Sequence, residues 1–135
     1  MKLFYISEFS LPSNKAYSIH VFKMLNAFAK KKINCTLFVP HVKKNINKNF
    51  LKKFYSVKRI DYINIHSFFI NLINLNFVYR FIYGFKICFF LKNIDQNNII
   101  ITRSLISSFL MSIFKIHHFL ELHQEIKGLT KIIFI

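Results

Sequence analysis

Residues 2–40, KLFYISEFSLPSNKAYSIHVFKMLNAFAKKKINCTLFVP, decide the fold. Lys2 to Ile6 is a short apolar run that predicts a strand. Ser7 to Lys15 is polar and holds Pro12, Ser13 and Asn14, the residues of a loop. Residues 16–32 place apolar side chains at helical spacing, and Cys35 to Val39 is a second apolar run. Strand, loop, helix, strand make one βαβ unit. That unit builds open parallel sheets, which hold their ligands beyond the carboxyl ends of the strands.

The rest of the chain continues the alternation. A basic, Asn-rich connection runs from His41 to Lys53 and predicts a short helix over 47–54. VKRIDYINI, residues 57–65, predicts a strand. SFFINLINLNFVYRFIYGFKICFFLK, residues 67–92, is long enough to invite a transmembrane reading. Asn71, Asn74, Asn76, Arg80, Gly84 and Lys86 oppose it, because a charge near a bilayer centre costs at least about 2.5 kcal/mol. A packed helix over 77–91 fits better, and a helix lying on a membrane surface fits better than a spanning one. Ile99–Thr102 is uninterrupted and apolar, as in a strand buried on both faces. Ser104 can cap a helix running to about residue 116, and 119–122 reads as another strand. The tail IKGLTKIIFI resembles a helix start. The expected fold is a doubly wound α/β domain with a parallel, Rossmann-like sheet.

Composition narrows the function. The 135 residues suffice for one domain with a core, and 2 Gly and 2 Pro are too few for a meander of tight turns. Twenty Lys and Arg face five Asp and Glu, a net charge of +15. Such a balance favours anionic partners: nucleic acid, phosphate-bearing substrates or an anionic membrane. An abundance of Lys, Asn, Ile and Phe, the residues of AT-rich codons, is an alternative source of the charge. The lysines punctuate helix ends and loops instead of forming one stripe with exposed aromatics, which speaks against nucleic acid. Cys35 and Cys88 sit in separate apolar runs and form neither CxxC nor a metal spacing. The start lacks the pattern of a signal peptide, which points to the cytoplasm.

Candidate chemistry lies just after the strands. Ser7, Glu8 and the loop Ser13-Asn14-Lys15 follow the first strand. That loop precedes a helix amino terminus, where free backbone N–H groups attract anions and Lys15 adds a charge. An ordinary capped βα loop would look the same. With no glycine before Gly84, a dinucleotide fingerprint and a P-loop are both excluded. Arg103 suits a phosphate or carboxylate, or pairs with Glu8 or Glu121. His20 faces either the cleft or solvent, beside Lys23 and Lys30. In ELHQE, Glu121 and Glu125 flank His123, which can bond a sugar hydroxyl or transfer a proton. His117 and His118 carry no pattern.

The opening block, together with IIITRSLISSFLMS (residues 99–112) and FLELHQEIKG (residues 119–128), resembles the amino-terminal half of a family 4 glycosyltransferase. The resemblance implies a GT-B enzyme, in which two Rossmann-like domains face a cleft. It implies that the amino-terminal half holds the acceptor and a carboxyl-terminal half holds the nucleotide-sugar donor. Transfer would retain anomeric configuration without a divalent metal or another cofactor. Ser13, Asn14 and Lys15 match the family's first loop, near donor diphosphate and acceptor, although the glycines often found there are missing. His123 matches a histidine that contacts the transferred sugar, and Arg103 a polar position lining the cleft. His20 and Glu125 join them as expected substrate-binding residues.

A complete enzyme of this type needs about twice this length. The expectation is therefore one acceptor-side domain over residues 1–135, a truncated half that is inactive alone and lacks its donor domain. Its acceptor would be a glycan or lipid-linked sugar, reached at the inner face of the cytoplasmic membrane through the basic, aromatic segment 41–92. The competing reading is a non-enzymatic basic module on a membrane surface or on nucleic acid.

Overall fold

In a computed structural model of the chain, residues 1–68 and 77–122 are described. Five strands form one parallel sheet: β1 (Lys2–Ile6), β2 (Asn34–Val39), β3 (Ile63–Ser67), β4 (Ile99–Thr102) and β5 (Phe119–Leu120). Their spatial order is β3-β2-β1-β4-β5. Among the described residues four α-helices connect them: α1 (Ala16–Lys30), α2 (Lys48–Phe54), α3 (Phe77–Leu91) and α4 (Leu105–Ile113). The domain is Rossmann-like and doubly wound, and strand order reverses between β1 and β4.

Strand alternation assigns each side chain to a face. Leu3 and Tyr5 of β1, with Cys35, Leu37 and Val39 of β2, pack beneath α1 and α2 with Val21, Phe22, Leu25 and Leu51. Phe4, Ile6, Phe38 and Ile100 point the other way, against Tyr83, Ile87 and Leu91 of α3 and Leu110 and Met111 of α4. Both faces are covered, so the central strands are apolar on both sides. Phe22 stacks on Tyr55 with ring centroids 3.9 Å apart, anchoring α2 to α1.

The strands β1 and β4 and the helix α3 lie where the sequence predicts them. Other boundaries shift. The first helix ends at Lys30, because Lys31 leaves the helical conformation and Lys32 takes a positive φ of 62°. The stretch 57–65 is not one strand: Ile60–Tyr62 is a 3-10 turn, and β3 begins at Ile63 and continues to Ser67. Asp61 and Tyr62 break the alternation that Ile63 resumes. The fourth helix stops at Ile113, not 116, and β5 is only two residues long. Ser104 caps α4 as expected, its Oγ accepting from the Ser107 N–H at 3.1 Å. Among the described residues no helix is long and apolar enough to cross a membrane. The tail from 123 onward, including the expected helix start, lies outside the described residues.

Candidate functional site

The carboxyl ends of β1 and β4 meet at the sheet's switch point, the position where open α/β sheets bind ligands. The main chain keeps these ends in register beyond the strands. Arg103 N–H donates to Ile6 O at 3.4 Å and Glu121 N–H to Thr102 O at 2.8 Å. Ser7 is fixed on both sides: its Oγ donates to Phe38 O at 3.0 Å, and its own carbonyl accepts from Tyr83 Oη at 2.6 Å.

A cavity of about 330 Å³ opens here, lined by Ser7, Glu8, Phe9, Lys15, Tyr17, Arg80, Arg103 and Ser104. Four segments converge on it: the exits of β1 and β4 and the first turns of α1 and α3. Three of the lining side chains are cationic and one is anionic. Glu8 accepts a short hydrogen bond from Ser104 Oγ and lies 3.7 Å from Arg80 Nε. Arg103 lies over the Tyr17 ring, 5.7 Å from its centroid. Neither expected carboxylate partner is the group over which Arg103 stacks: its guanidinium lies on the Tyr17 ring and also acts on the Tyr5 phenol, while Glu8 is engaged by Ser104 and Arg80. A guanidinium stacked on a flat ring and acting on a neighbouring phenol can still offer its remaining N–H groups to an oxyanion.

A second, shallower space of about 270 Å³ adjoins the first and shares Glu8, Phe9, Lys15 and Tyr17 with it. Ser13 and Asn14 line this part, so the expected loop does border the cleft. Its shape is set from outside. Tyr55 Oη donates to Ser13 O at 2.8 Å and accepts from Ser13 N–H at 2.8 Å. Ser18 Oγ binds the carbonyls of Ser13 and Lys15 at 2.8 and 2.7 Å. The loop also runs beside the exit of β2, with Leu11 N–H donating to His41 O at 2.9 Å. Lys15 occupies the N-cap of α1 without capping it through its side chain; its carbonyl accepts from Ser18 N–H at 3.0 Å, and the turn's positive dipole end lies beside the cleft that Lys15 and Tyr17 line.

His20 stands one turn further along α1. Its Nε2 is 3.5 Å from Glu121 Oε1, and Tyr5 Oη donates to Glu121 Oε2 at 2.6 Å. Burial, and then the Glu121 carboxylate, push the Tyr5 phenol well above its ordinary value near 10, keeping it a proton donor. His20 is thus tied to the end of β5 and is not merely part of a solvent stripe. His123 and Glu125 lie outside the described residues. His118, which no sequence pattern singled out, bridges Ile116 O at 2.8 Å and Ser108 Oγ at 2.7 Å and secures the turn into β5.

Three lining residues, Phe9, Tyr17 and Arg80, were not singled out from the sequence. Arg80 reads there as a charge opposing a membrane span, and Tyr17 only as part of the helical stretch 16–32. The available signal was position: both fall in a first helical turn directed at strand ends. Among the described residues no group of three His, Cys, Asp or Glu side chains comes together to hold a metal.

Fold and site together define a Rossmann-like α/β protein with a basic switch-point cleft. Compared with protein-family models, with curated proteins and with solved structures, the chain matches none.

Proposed function

We propose that the chain is the acceptor-binding half of a retaining, metal-independent glycosyltransferase. It would move a sugar from a nucleotide-sugar to a glycan or lipid-linked acceptor, with the donor held mainly by a second domain. The observation that carries this reading is the cleft in which Lys15, Arg80 and Arg103 surround Glu8 and Ser104 at the switch point. Cations there suit a phosphate-bearing sugar, and the Glu8 carboxylate among them suits sugar hydroxyls. Residues of the opening block and of the block 99–112, two of the stretches that resemble family 4 enzymes, line this cleft. His123 and Glu125 enter the proposal from that resemblance, His123 as the group contacting the transferred sugar and Glu125 as a neighbour in substrate binding. Cytoplasmic placement, at the inner face of the cytoplasmic membrane, belongs to the same proposal.

The test is acceptor binding followed by NMR. A water-soluble isoprenyl-diphosphate sugar is titrated into the whole chain, with the same sugar lacking phosphate and a neutral glycan as comparisons. Shifts centred on Arg103, Tyr17 and Ser104, lost in Arg103→Ala, are the expected result. No site-specific shift with any of the three at millimolar concentration overturns the reading.

A further inference from the structure

The outer face of α3 is unlike the rest of the surface. Val78, Ile82, Phe85 and Phe89 fall on one line at helical spacing, and all are exposed, Phe89 by 68%. Tyr79 and Phe90 widen this line, and they too are exposed. The inner face of the same helix buries Tyr83, Ile87, Cys88 and Leu91 in the core. A helix apolar on both sides is one whose outer face is also covered. The strip continues onto the end of α4, where Phe114 packs edge-on against Phe85 with centroids 6.1 Å apart and Ile113 is 58% exposed.

Charge selects the occupant. No acidic residue lies on α3 or α4. Lys86 is exposed in the middle of the apolar arc, and Lys92 and Lys115 are exposed at its margins. A second copy of a chain carrying +15 would be repelled. An anionic bilayer would be attracted, and aromatic side chains with lysines at their edge match the headgroup boundary, where rings sit in the interface and lysines reach phosphate.

We propose that α3, with the carboxyl end of α4, lies in the plane of an anionic lipid membrane and sinks its aromatic face into the headgroup region. The helix would be an interfacial anchor, not a span. Arg80 in its first turn lines the switch-point cavity from the other side of the helix, so docking would set that cavity beside the lipid headgroups. This inference deepens the membrane placement proposed above by naming the element that makes it, and it does not depend on sugar transfer.

The chain contains no Trp, so Phe89→Trp supplies a single conservative probe on the face, and Phe50→Trp a control on α2. Each is mixed with phosphatidylcholine vesicles and with vesicles containing about one third phosphatidylglycerol. The expected result is a blue shift at position 89 with anionic vesicles, quenched by brominated lipid, and no change at position 50. Lys86→Gln should weaken partitioning about fivefold. Raising salt should weaken it too, leaving an apolar remainder. Three outcomes overturn the proposal. One is no binding to anionic vesicles, and another is binding with an unshifted probe at 89. The third is a lipid-independent blue shift that grows with protein concentration and tracks a dimer in light scattering. None involves the acceptor-phosphate titration, so failure here leaves the reading of the cleft intact.

Discussion

Tyr83 reaches through the core to hold the backbone of the cleft. Its hydroxyl donates to Ser7 O at 2.6 Å, and the side chain is fully buried. Burial is the main reason, and Glu8 the second, that its phenol titrates well above the ordinary value near 10. The direction fixes the pH response. The folded state keeps a proton that the unfolded state loses above about 10, so stability is full below that pH and falls as pH rises past it. Each such tyrosine contributes a slope of about 1.4 kcal/mol per pH unit. Tyr5 is shifted in the same sense, so the urea midpoint should fall steeply between pH 10 and 11. Tyr83→Phe should cost about 1–2 kcal/mol at neutral pH by leaving the Ser7 carbonyl unsatisfied, and should flatten the alkaline fall. A variant with unchanged alkaline slope would refute that assignment. The thiols follow the same physics: burial pushes Cys35 and Cys88 up to about 11. A disulfide reagent at pH 8 should therefore modify them only at the rate of unfolding.

Among the elements, α3 crosses α4 closely at Gly84. A Cβ placed there would meet Leu110 Cδ1 at 2.7 Å and Ser107 Cα at 3.6 Å. Alanine would gain up to about 1 kcal/mol of helix propensity, and the near contact is the end of a rotatable side chain. Gly84→Ala should therefore come out within about 1 kcal/mol of wild type. Gly84→Val adds bulk toward Ser107 and a β-branch in a helix, and should lose about 1–3 kcal/mol. Urea denaturation of the pair checks the contrast. Glycine in an apolar helix is visible in the sequence, but the partner packed against it is not, because α4 lies more than twenty residues away. The same limit governs boundaries. Runs such as Ile99–Thr102 announce themselves because a strand buried on both faces must be apolar throughout. β3 does not, because its pairing with β2 and not its composition fixes where it starts. Ser13, Asn14, Lys15 and Arg103 could be placed beside the cleft from the sequence because they follow strands. Arg80 was not, since it reaches the cleft only when α3 folds back over the sheet.

For the molecule as a whole, charge is the dominant asymmetry. Twenty basic residues face five acidic ones, and two of those acids, Glu8 and Glu121, are engaged at the cleft and its rim. Most of the positive charge therefore repels itself, and screening should stabilise the fold. The melting temperature should rise as sodium chloride goes from about 10 to 300 mM, over which the Debye length shrinks from about 30 Å to under 10 Å. The cleft predicts a second effect on top of the first. Pyrophosphate at about 5 mM is too dilute to act by exclusion from the surface, yet it can occupy the space between Lys15, Arg80 and Arg103. At matched ionic strength it should raise the melting temperature beyond chloride, by about 1.4 kcal/mol of stability where its concentration is tenfold above Kd. Arg103→Ala should erase this increment and leave the chloride response in place, while Arg103→Lys, which keeps charge but not the two-pronged fork, should keep only part of it. Equal increments in wild type and Arg103→Ala would mean that pyrophosphate acts on the general charge and that the switch-point cleft is not an anion site.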